Sequence, residues 1–430
     1  MHILKNTSLF LFLLLPLLCF SQTDSDYYKN SHCTFDKMRK KSGMQKLPQA
    51  QQKKDSISDA LADDNSFYII PVVVHIIHNN GAENIHDSIV RSQIDVLNED
   101  FGRYGKGSNT HPASADSRIR FCLATKDPQG NPTTGIVRVQ SPYTRLKSDD
   151  EMLTKNLSRW DQKRYLNIWV VRDIDANPRE QGYSYLPSEV ANERFRERDG
   201  VVIAYRHFGR NSRIAQQNNY MGHTTTHEVG HYLELLHVWG GDGPGKGGCG
   251  DDDGVFDTPT CDGIFYAEYN PLTRSCDRPV QCGNPRMVEN YMDYSEDRCL
   301  NVFTKGQITR MRGAIVGFRS GLVTYANLVS TGCKSQYLSF NPPAEDELQI
   351  HANLSQKTVT MFPNFVNEQN AQLVVYDEMG RLIASKLYTN MKNNTEELYI
   401  PTLKNGMYFF IVQTPTQKFT QKIVILPQKN

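Results

Sequence analysis

The segment from residue 227 to residue 237 constrains this chain most, because its three histidines and one glutamate have the spacing of a catalytic zinc site. His227 and His231 are one helical turn apart, so on a helix both imidazoles share a face and can bind one Zn²⁺. Glu228 follows His227 directly, where its carboxylate can take a proton from the attacking water. His237 lies too far along for a straight helix, so the chain must bend before His237 can become a third ligand.

Met292 and Tyr294, downstream of the histidines, strengthen this prediction. A bare His-Glu-x-x-His segment also occurs by chance in many helices. Together with the third histidine, however, the sequence Asn-Tyr-Met-Asp-Tyr at 290–294 resembles the metzincin metalloproteases. In that group a methionine turn lies beneath the zinc ion, and a tyrosine two residues later faces the substrate carbonyl. The resemblance implies these two roles for Met292 and Tyr294.

Glu234 departs from the metzincin pattern, which has glycine at this position. The helix ends there with a positive φ, a conformation that costs a residue other than glycine about 1–2 kcal/mol. Metal binding and packing can hold such a strained turn. The departure keeps an alternative open, in which the chain is a catalytically impaired surface or binding protein that retains the metzincin fold.

Further segments narrow the resemblance to the pappalysin family, in particular to its small microbial members. They are IPVVVH at 70–75, QIDVLNEDF at 93–101, FCLA at 121–124, TTGIVR at 133–138, DTP at 257–259 and FTKGQ at 303–307. The resemblance runs from about residue 66 to about residue 320. It implies a secreted zinc endopeptidase with an α+β metzincin catalytic domain at 65–333, made of a twisted mixed sheet, an active-site helix and a loop-rich, disulfide-linked lower subdomain.

Local patterns in this region agree with a mixed fold of helices and strands. Apolar, β-rich runs predict strands, and helical spacing predicts one helix; the strands are 67–77, 119–124, 167–172 and 201–207, and the helix is 87–99. In metzincins the strand before the zinc helix is the sheet edge with which the substrate pairs, so we expect residues 201–205 to form that edge. We interpret His75, His78 and His207 as ordinary polar positions.

Residues 1–21 have the pattern of a secretory signal peptide, with a basic start, an apolar run and small residues at the cleavage position. The run is too short to span a membrane, so we expect a secreted protein that begins at Gln22. Lipidation of Cys19 is a weaker alternative, because Leu18 precedes it where a small residue is required. The chain has 22% charged residues and a net charge of +1. This charge balance does not produce the positive electrostatic potential that attracts nucleic acid or anionic membranes.

The chain has nine cysteines, which indicates an oxidising compartment. Five of them crowd a loop-rich stretch after the zinc helix: Cys249, Cys261, Cys276, Cys282 and Cys299. Because this stretch has little apolar content, it gains stability from cross-links. The pappalysin resemblance implies the pairs Cys249–Cys282 and Cys276–Cys299. The partners of Cys122, Cys261 and Cys333 stay open.

Cys33 stands in a polar segment, residues 22–64, whose composition predicts a pro-segment without a core of its own. A thiolate is a strong, soft ligand for Zn²⁺, so this cysteine can occupy the metal in a latent form. Latency in related pappalysins agrees with this role. The alternative is a disulfide between Cys33 and one of the unassigned cysteines. Activation then requires cleavage at 46–64, where Lys53-Lys54 is an evident basic site.

The loop after the zinc helix is rich in glycine and aspartate, including Asp251, Asp252 and Asp253. Clustered carboxylate and carbonyl oxygens suit Ca²⁺, which takes six to eight oxygen ligands. A solvated acidic loop is the alternative. The pappalysin resemblance favours calcium and assigns it to Asp253 and Thr258.

Asp297 is the residue from which we predict specificity. In microbial pappalysins an aspartate at this distance from the turn methionine lies at the base of the pocket for the residue after the cut. A partly buried carboxylate there selects arginine, which it binds through two hydrogen bonds, over lysine. Neighbouring Glu296 can substitute if the loop shifts, and Arg298 can neutralise either carboxylate. We expect cleavage on the N-terminal side of Arg, and less often of Lys.

The chain changes character after Cys333. Residues 334–350 are polar and predict a linker, whereas 351–430 contain short β-rich runs separated by turns, which predict a small all-β sandwich. The motifs MFPN at 361–364, VYDEMGRL at 375–382, NGMYF at 405–409 and KIVI at 422–425 resemble the sorting domain of the type IX secretion system. A carbohydrate- or protein-binding module is the alternative. We expect protein or peptide substrates, the type IX machinery as a partner, and a monomer that is secreted or held at the cell surface.

Overall fold

The computed structural model describes residues 32–35, 37–38, 66–177, 179–210, 212–218, 220–240, 248–340, 347–353, 356–365, 367, 369–392 and 395–425. The predicted signal peptide, residues 1–21, lies outside the described residues. The same holds for Cys19, Gln22, most of the predicted pro-segment, the Lys53-Lys54 pair and residues 241–247 of the acidic loop.

The catalytic region is built on a mixed seven-stranded sheet in the order β1-β8-β9-β6-β2-β3, with β4 also paired to β2. Its strands are β1 (His32–Cys33), β2 (Tyr68–His78), β3 (Ile119–Leu123), β4 (Ile136–Gln140), β6 (Leu166–Val171), β8 (Glu180–Tyr183) and β9 (Val201–Ala204). Two further short strands, β5 (Arg145–Leu146) and β7 (Asp173–Ile174), pair with each other outside this sheet. Central β2 is buried on both faces, which explains its continuous apolar sequence.

The expectation that residues 201–205 form the sheet edge is wrong. Strand β9 lies inside the sheet, since β6 pairs with it on one side and β8 pairs with it antiparallel on the other. Strand β8 has the sequence Glu-Gln-Gly-Tyr, which is short, polar and contains glycine. It therefore carries neither the apolar run nor the alternation by which a strand is recognised. Strand β1, from the predicted pro-segment, pairs parallel with β8.

Helices cover the sheet and carry the metal-binding pattern. They are α1 (Asp87–Gly102), α2 (Glu151–Lys155), α3 (Pro187–Val190), α4 (Arg213–Asn218), α5 (His223–Tyr232), α6 (Lys305–Phe318), α7 (Ser320–Val323), α8 (Tyr325–Thr331) and α9 (Lys334–Phe340). Residues of α1, α5 and α6 share one apolar core with the sheet, including Leu97, Val229 and Ile315. In the described part of the chain, none of the helices has the length and apolar character needed to cross a membrane.

Among the residues that the structure describes, three disulfides stabilise the catalytic region. Cys249–Cys282 and Cys276–Cys299 lie in the loop-rich part after α5, in the pairing that the resemblance implied. This part contains two small hairpins, of strands β10 (Tyr269–Asn270) and β11 (Ser275–Cys276) and of strands β12 (Val280–Gln281) and β13 (Asn284–Pro285). The partner that stayed open for Cys122 is Cys333, 211 residues further along the chain. Cys261 is a buried free thiol.

The C-terminal region is a sandwich of two antiparallel sheets, in the orders β14-β15-β18 and β17-β16-β19-β20. Its strands are β14 (Glu347–Asn353), β15 (Thr358–Asn364), β16 (Gln369–Asp377), β17 (Leu382–Met391), β18 (Glu396–Tyr399), β19 (Gly406–Gln413) and β20 (Lys418–Ile425). Alternate residues of both sheets, such as Val359, Leu373 and Phe410, form its core. Helix α9 and the start of β14 fall within residues 334–350, which the sequence analysis assigned to a linker.

Candidate metal centre

Helix α5 places His227, Glu228 and His231 in the middle of the catalytic region. The helix starts after Gly222, whose φ is 86°, and ends at Tyr232. One face of the helix lies directly on the methionine turn, since a Cβ at Gly230 would come within 2.4 Å of Met292 Sδ. A glycine at position 230 is therefore required for Met292 to lie beneath the histidines.

Four side chains converge at the end of this helix: Cys33, His227, His231 and His237. Each contributes one potential ligand atom, and these atoms all lie within 4.8 Å of one another. All three histidines are buried. The Nε2 atoms of His231 and His237 are 3.2 Å apart. Three imidazole nitrogens and one sulfur at this spacing match the tetrahedral ligand set of Zn²⁺.

Hydrogen bonds to backbone carbonyls orient two of these rings. His227 Nδ1 donates to Tyr291 O at 2.7 Å, and His231 Nδ1 donates to Leu235 O at 2.8 Å. Each ring therefore directs the lone pair of its Nε2 inward, as a metal ligand requires. His227 Nε2 is buried without a hydrogen-bond partner. Burial lowers the pKa of His227 to about 4, so the ring is neutral and able to bind a metal at neutral pH. The residues present therefore fit a metal ion.

The turn at Glu234 places His237 next to His227, His231 and Cys33. Glu234 has a φ of 75°, as the metzincin pattern predicts for a position that normally holds glycine. Its partly buried carboxylate accepts hydrogen bonds from Ser188 N at 3.0 Å and Ser188 Oγ at 2.6 Å. Trp239 then stacks on the His237 ring at 4.5 Å between centroids. These contacts hold the strained turn, and the sequence analysis identified neither Ser188 nor Trp239.

Glu228 lies beside the metal-binding group and is fully buried. Burial raises the pKa of its carboxyl to about 8. Strand β8 approaches closely here, because a Cβ at Gly182 would lie 3.1 Å from Glu228 Cγ. A peptide paired with β8 would therefore pass over the Glu228 carboxylate.

Tyr294 faces the same centre. Its ring lies 5.8 Å from the His227 ring and 4.9 Å from the His237 ring, between centroids. Its hydroxyl donates to Cys33 O at 3.1 Å. The predicted Met292 and Tyr294 are thus both adjacent to the histidines, and the tyrosine hydroxyl contacts the predicted pro-segment.

Residues around Cys33 fill the cleft, and the sequence analysis did not single them out. The Phe35 ring stacks on His231 at 4.0 Å with an interplanar angle of 6°. Phe35 and Met38 are both 1% exposed. Thr34 N donates to Gly182 O of β8 at 2.9 Å. The signal that could have found them is the pair of apolar residues that follow Cys33 in an otherwise polar segment.

Asp297 lies at the N-terminal end of α5. Its Oδ2 accepts hydrogen bonds from Met221 N at 2.5 Å and Gly222 N at 3.1 Å. Its side chain is 13% exposed, and Oδ1 is 4.0 Å from His223 Nδ1. The neighbouring carboxylate of Glu296 is paired with Arg298. Arg298 is therefore engaged with Glu296 in this arrangement.

Asp253 and Thr258 lie together, as the resemblance implied. Thr258 Oγ1 donates to Asp253 Oδ1 at 2.8 Å, and Val255 N donates to the same oxygen at 3.0 Å. Asp253 Oδ2 is buried without a hydrogen-bond partner, and burial raises the pKa of this carboxyl to about 7. By contrast, His75, His78 and His207 take no part in the metal-binding group found among the described residues.

Comparisons with known proteins agree with this geometry. Residues 148–316 match the family described as pregnancy-associated plasma protein-A, and residues 341–426 match the secretion-system C-terminal sorting domain. An extracellular metalloprotease of Arthroderma gypseum is 30% identical over 268 residues, which are 62% of this chain and 78% of that protein. The chain belongs to the pappalysin family of metalloproteases.

Two solved pappalysins have the same catalytic fold. Mature mirolysin of Tannerella forsythia, in complex with a cleaved peptide, is 39% identical with a TM-score of 0.52, and the match covers 62% of this chain and 99% of that structure. Promirolysin of Tannerella forsythia is 35% identical with a TM-score of 0.54, and the match covers 69% of this chain and 97% of that structure. As a pappalysin, this protein is an exported metalloendopeptidase whose catalytic metal is typically zinc, and a type IX sorting domain forms its C-terminal region.

The contact between Glu234 and Ser188 generates a stability prediction. Glu234→Ala keeps the positive φ but loses both hydrogen bonds, whereas Glu234→Gly loses the bonds and also relieves the strain. We expect both variants to unfold at lower temperature than the natural protein, with the alanine variant less stable than the glycine variant by about 1 kcal/mol. Thermal unfolding of the zinc-loaded proteins measures this, with exposed Glu193→Ala as the control. Equal stability of the two Glu234 variants would show that the turn carries no backbone strain.

Proposed function

We propose that this pappalysin hydrolyses peptide bonds at a zinc ion held by His227, His231 and His237. The observation that carries the proposal is the convergence of three buried imidazoles, two of them oriented by backbone carbonyls, beside the buried carboxylate of Glu228. The alternative of an impaired, non-catalytic protein rested on Glu234. Since that residue forms the required turn and is held by Ser188, the geometry favours the enzyme.

The residues of this chain divide the chemistry between them. When bound, zinc supplies a Lewis acid that polarises the scissile carbonyl and makes water more acidic. Glu228 takes a proton from the attacking water and passes it to the leaving amine. The Tyr294 hydroxyl, once it is no longer bonded to Cys33 O, donates to the oxyanion that develops on the carbonyl. The close edge strand β8 positions the peptide over Glu228.

Replacing the base tests this assignment. In Glu228→Ala we expect kcat/KM for peptides to fall at least about a hundredfold, because no other carboxylate takes the proton. The zinc content, measured by mass spectrometry of the intact metal complex, should stay at one ion per chain. Glu193→Ala, which removes an exposed carboxylate, should keep full activity. Loss of zinc together with activity would mean that Glu228 has a structural role instead.

We further propose that the enzyme is made as a latent zymogen in which Cys33 Sγ is the fourth zinc ligand. Cys33 lies in the metal-binding group, and its carbonyl oxygen accepts the hydrogen bond of the Tyr294 hydroxyl. The Phe35 ring stacks on His231. These contacts block both the metal and the oxyanion donor. The larger share of this chain that promirolysin covers, 69% against 62% for the mature form, also supports a pro-segment.

Removing this thiol should activate the unprocessed chain. We expect Cys33→Ala to hydrolyse peptides before any cleavage of the pro-segment, whereas the natural chain is inactive until it is processed. The measurement is peptide hydrolysis in the first minutes, with electrophoresis to show that the chain is intact. Cys261→Ala removes a buried thiol that is not part of the metal-binding group and is the matched control. A variant that stays silent until processing would eliminate Cys33 as the inhibitory ligand.

Cleavage before Arg, and less often before Lys, is our proposal for specificity, with Asp297 as the selecting carboxylate. Two backbone N–H groups fix Oδ2 of this side chain, which leaves Oδ1 to meet a guanidinium. The pairing of Glu296 with Arg298 supports Asp297 rather than its neighbour in this role.

The specificity proposal is tested by Asp297→Asn. Losing one charge-assisted hydrogen bond should reduce kcat/KM for peptides with Arg after the cut by about tenfold or more. Peptides with an uncharged residue at that position should change little. Both are read by mass spectrometry of a peptide mixture, with Glu296→Gln as the matched control. Unchanged cutting before Arg in Asp297→Asn would require another pocket residue.

Asp253 and Thr258 are our proposed ligands for a structural Ca²⁺. The buried, unpartnered Asp253 Oδ2 supports a cation at this position, because an ionised carboxylate is otherwise costly to bury. It follows that adding calcium to the zinc-loaded Glu228→Ala protein should raise its unfolding temperature. Asp253→Asn should abolish the rise, while Asp262→Asn on the exposed surface should keep it. A rise that persists in Asp253→Asn would place the calcium elsewhere.

A further inference from the structure

Lys37, in the predicted pro-segment, is held by two carboxylates at the start of β8. Its Nζ lies 2.7 Å from Asp175 Oδ2 and 3.3 Å from Glu180 Oε1. Neither carboxylate belongs to the metal-binding group or to the Asp297 pocket. Lys37 leaves with the pro-segment when the proposed zymogen is processed, and these carboxylates then lose the cation that they hold here.

This acidic pair is organised independently of Lys37. Ser148 donates to both oxygens of Asp175, from its N and its Oγ at 2.7 Å each. Asp175 has a φ of 52°, so its loop is held in the left-handed region. Asn177 Nδ2 donates to Glu180 Oε1 at 3.3 Å. The loop therefore presents both carboxylates in fixed positions.

Glu180 points to a ligand beyond these contacts. Its side chain is 10% exposed, and its Oε2 is buried without a hydrogen-bond partner. Burial raises the pKa of Glu180 although Lys37 lies beside it. In this arrangement Lys37 compensates a carboxylate that burial has deprived of water, so the position suits a basic side chain.

The position of β8 shows which part of the cleft the pair serves. Gln181 accepts a hydrogen bond from Thr224 at 2.7 Å near the start of α5, whereas Ser184 donates to the Glu228 carbonyl further along the helix. Glu180 therefore lies toward the N-terminal end of α5. Asp297 lies at that same end, where it accepts from the Gly222 backbone. Both acidic features thus serve the side of the cleft that follows the cut.

We propose that Asp175 and Glu180 form a second specificity subsite, which binds a basic side chain one or two residues beyond the Arg that follows the cut. Lys37 occupies this subsite in the unprocessed chain. The proposal rests on the proposed function, because it requires a peptide bound along β8. Glu180 is two residues before Gly182, or about 6.6 Å along the strand, which agrees with a substrate position slightly beyond the scissile bond.

A lysine scan tests the proposal with the processed, zinc-loaded enzyme. A series of peptides carries one Arg as the cut site, and a single Lys is moved through each flanking position. We expect kcat/KM to rise about tenfold when the Lys is one or two residues beyond the Arg, as a charge-assisted hydrogen bond supplies. The parent peptide without Lys measures the proposed endopeptidase activity by itself.

Two isosteric variants then locate the effect. Asp175→Asn and Glu180→Gln should each reduce the gain from Lys to within about twofold, with kcat/KM of the parent peptide unchanged. Asparagine also tolerates the left-handed backbone at 175, so the loop should keep its shape. Glu193→Gln on the exposed surface is the matched control and should keep the full gain.

The outcomes separate this inference from the proposed function. Cleavage of the parent peptide without a gain from Lys at any position would overturn the second subsite and leave the protease intact. A gain that both variants retain would also overturn it, because another group would then bind the Lys. No cleavage of any peptide by the zinc-loaded enzyme would overturn the proposed function, and the subsite with it.

Discussion

The turn at Glu234 is the constraint on which the metal centre depends. A helix that continued past Tyr232 would carry His237 away from His227 and His231, and the three imidazoles could not converge. The chain bends there through a positive φ of 75°, and Ser188 donates two hydrogen bonds to the partly buried carboxylate of Glu234. A strained backbone at a functional site is tolerated when surrounding contacts determine it more strongly than local preference does. Here a hydrogen-bonded glutamate occupies the position where the metzincin pattern has glycine.

Strand β8 connects the metal centre with both proposed regulation and proposed specificity. Its glycine, Gly182, allows the sheet edge to approach Glu228, and the same glycine carbonyl accepts the pro-segment backbone at Thr34. In the proposed zymogen, the pro-segment and the substrate would therefore use the same strand and exclude each other. Several contacts block the cleft together: Cys33 at the metal, Phe35 on His231 and Lys37 on the acidic pair. Latency in this protein would then depend on several weak contacts acting in addition to one thiolate.

Much of the fold could be predicted because its signals are local. The apolar run of β2 and the helical spacing of α1 lie close to their predicted positions, and the C-terminal strands form the predicted all-β sandwich. Prediction failed where a strand is defined by its neighbours. Strand β8 is polar and short, so its place outside β9 was missed and residues 201–205 were assigned to the edge. The start of strand β14 likewise lies in a polar segment whose composition predicts a linker.

The sequence by itself determined the chemistry of the site, since histidine and glutamate spacing on a helix follows from its period alone. It also determined that a bend must lie between His231 and His237. Only the tertiary structure decided what holds that bend, which strand forms the edge, and that Cys122 pairs with Cys333 across 211 residues. These features join segments far apart in the chain. Each of these contacts is selected by packing in three dimensions. The sequence around either segment therefore shows no local pattern that predicts the contact.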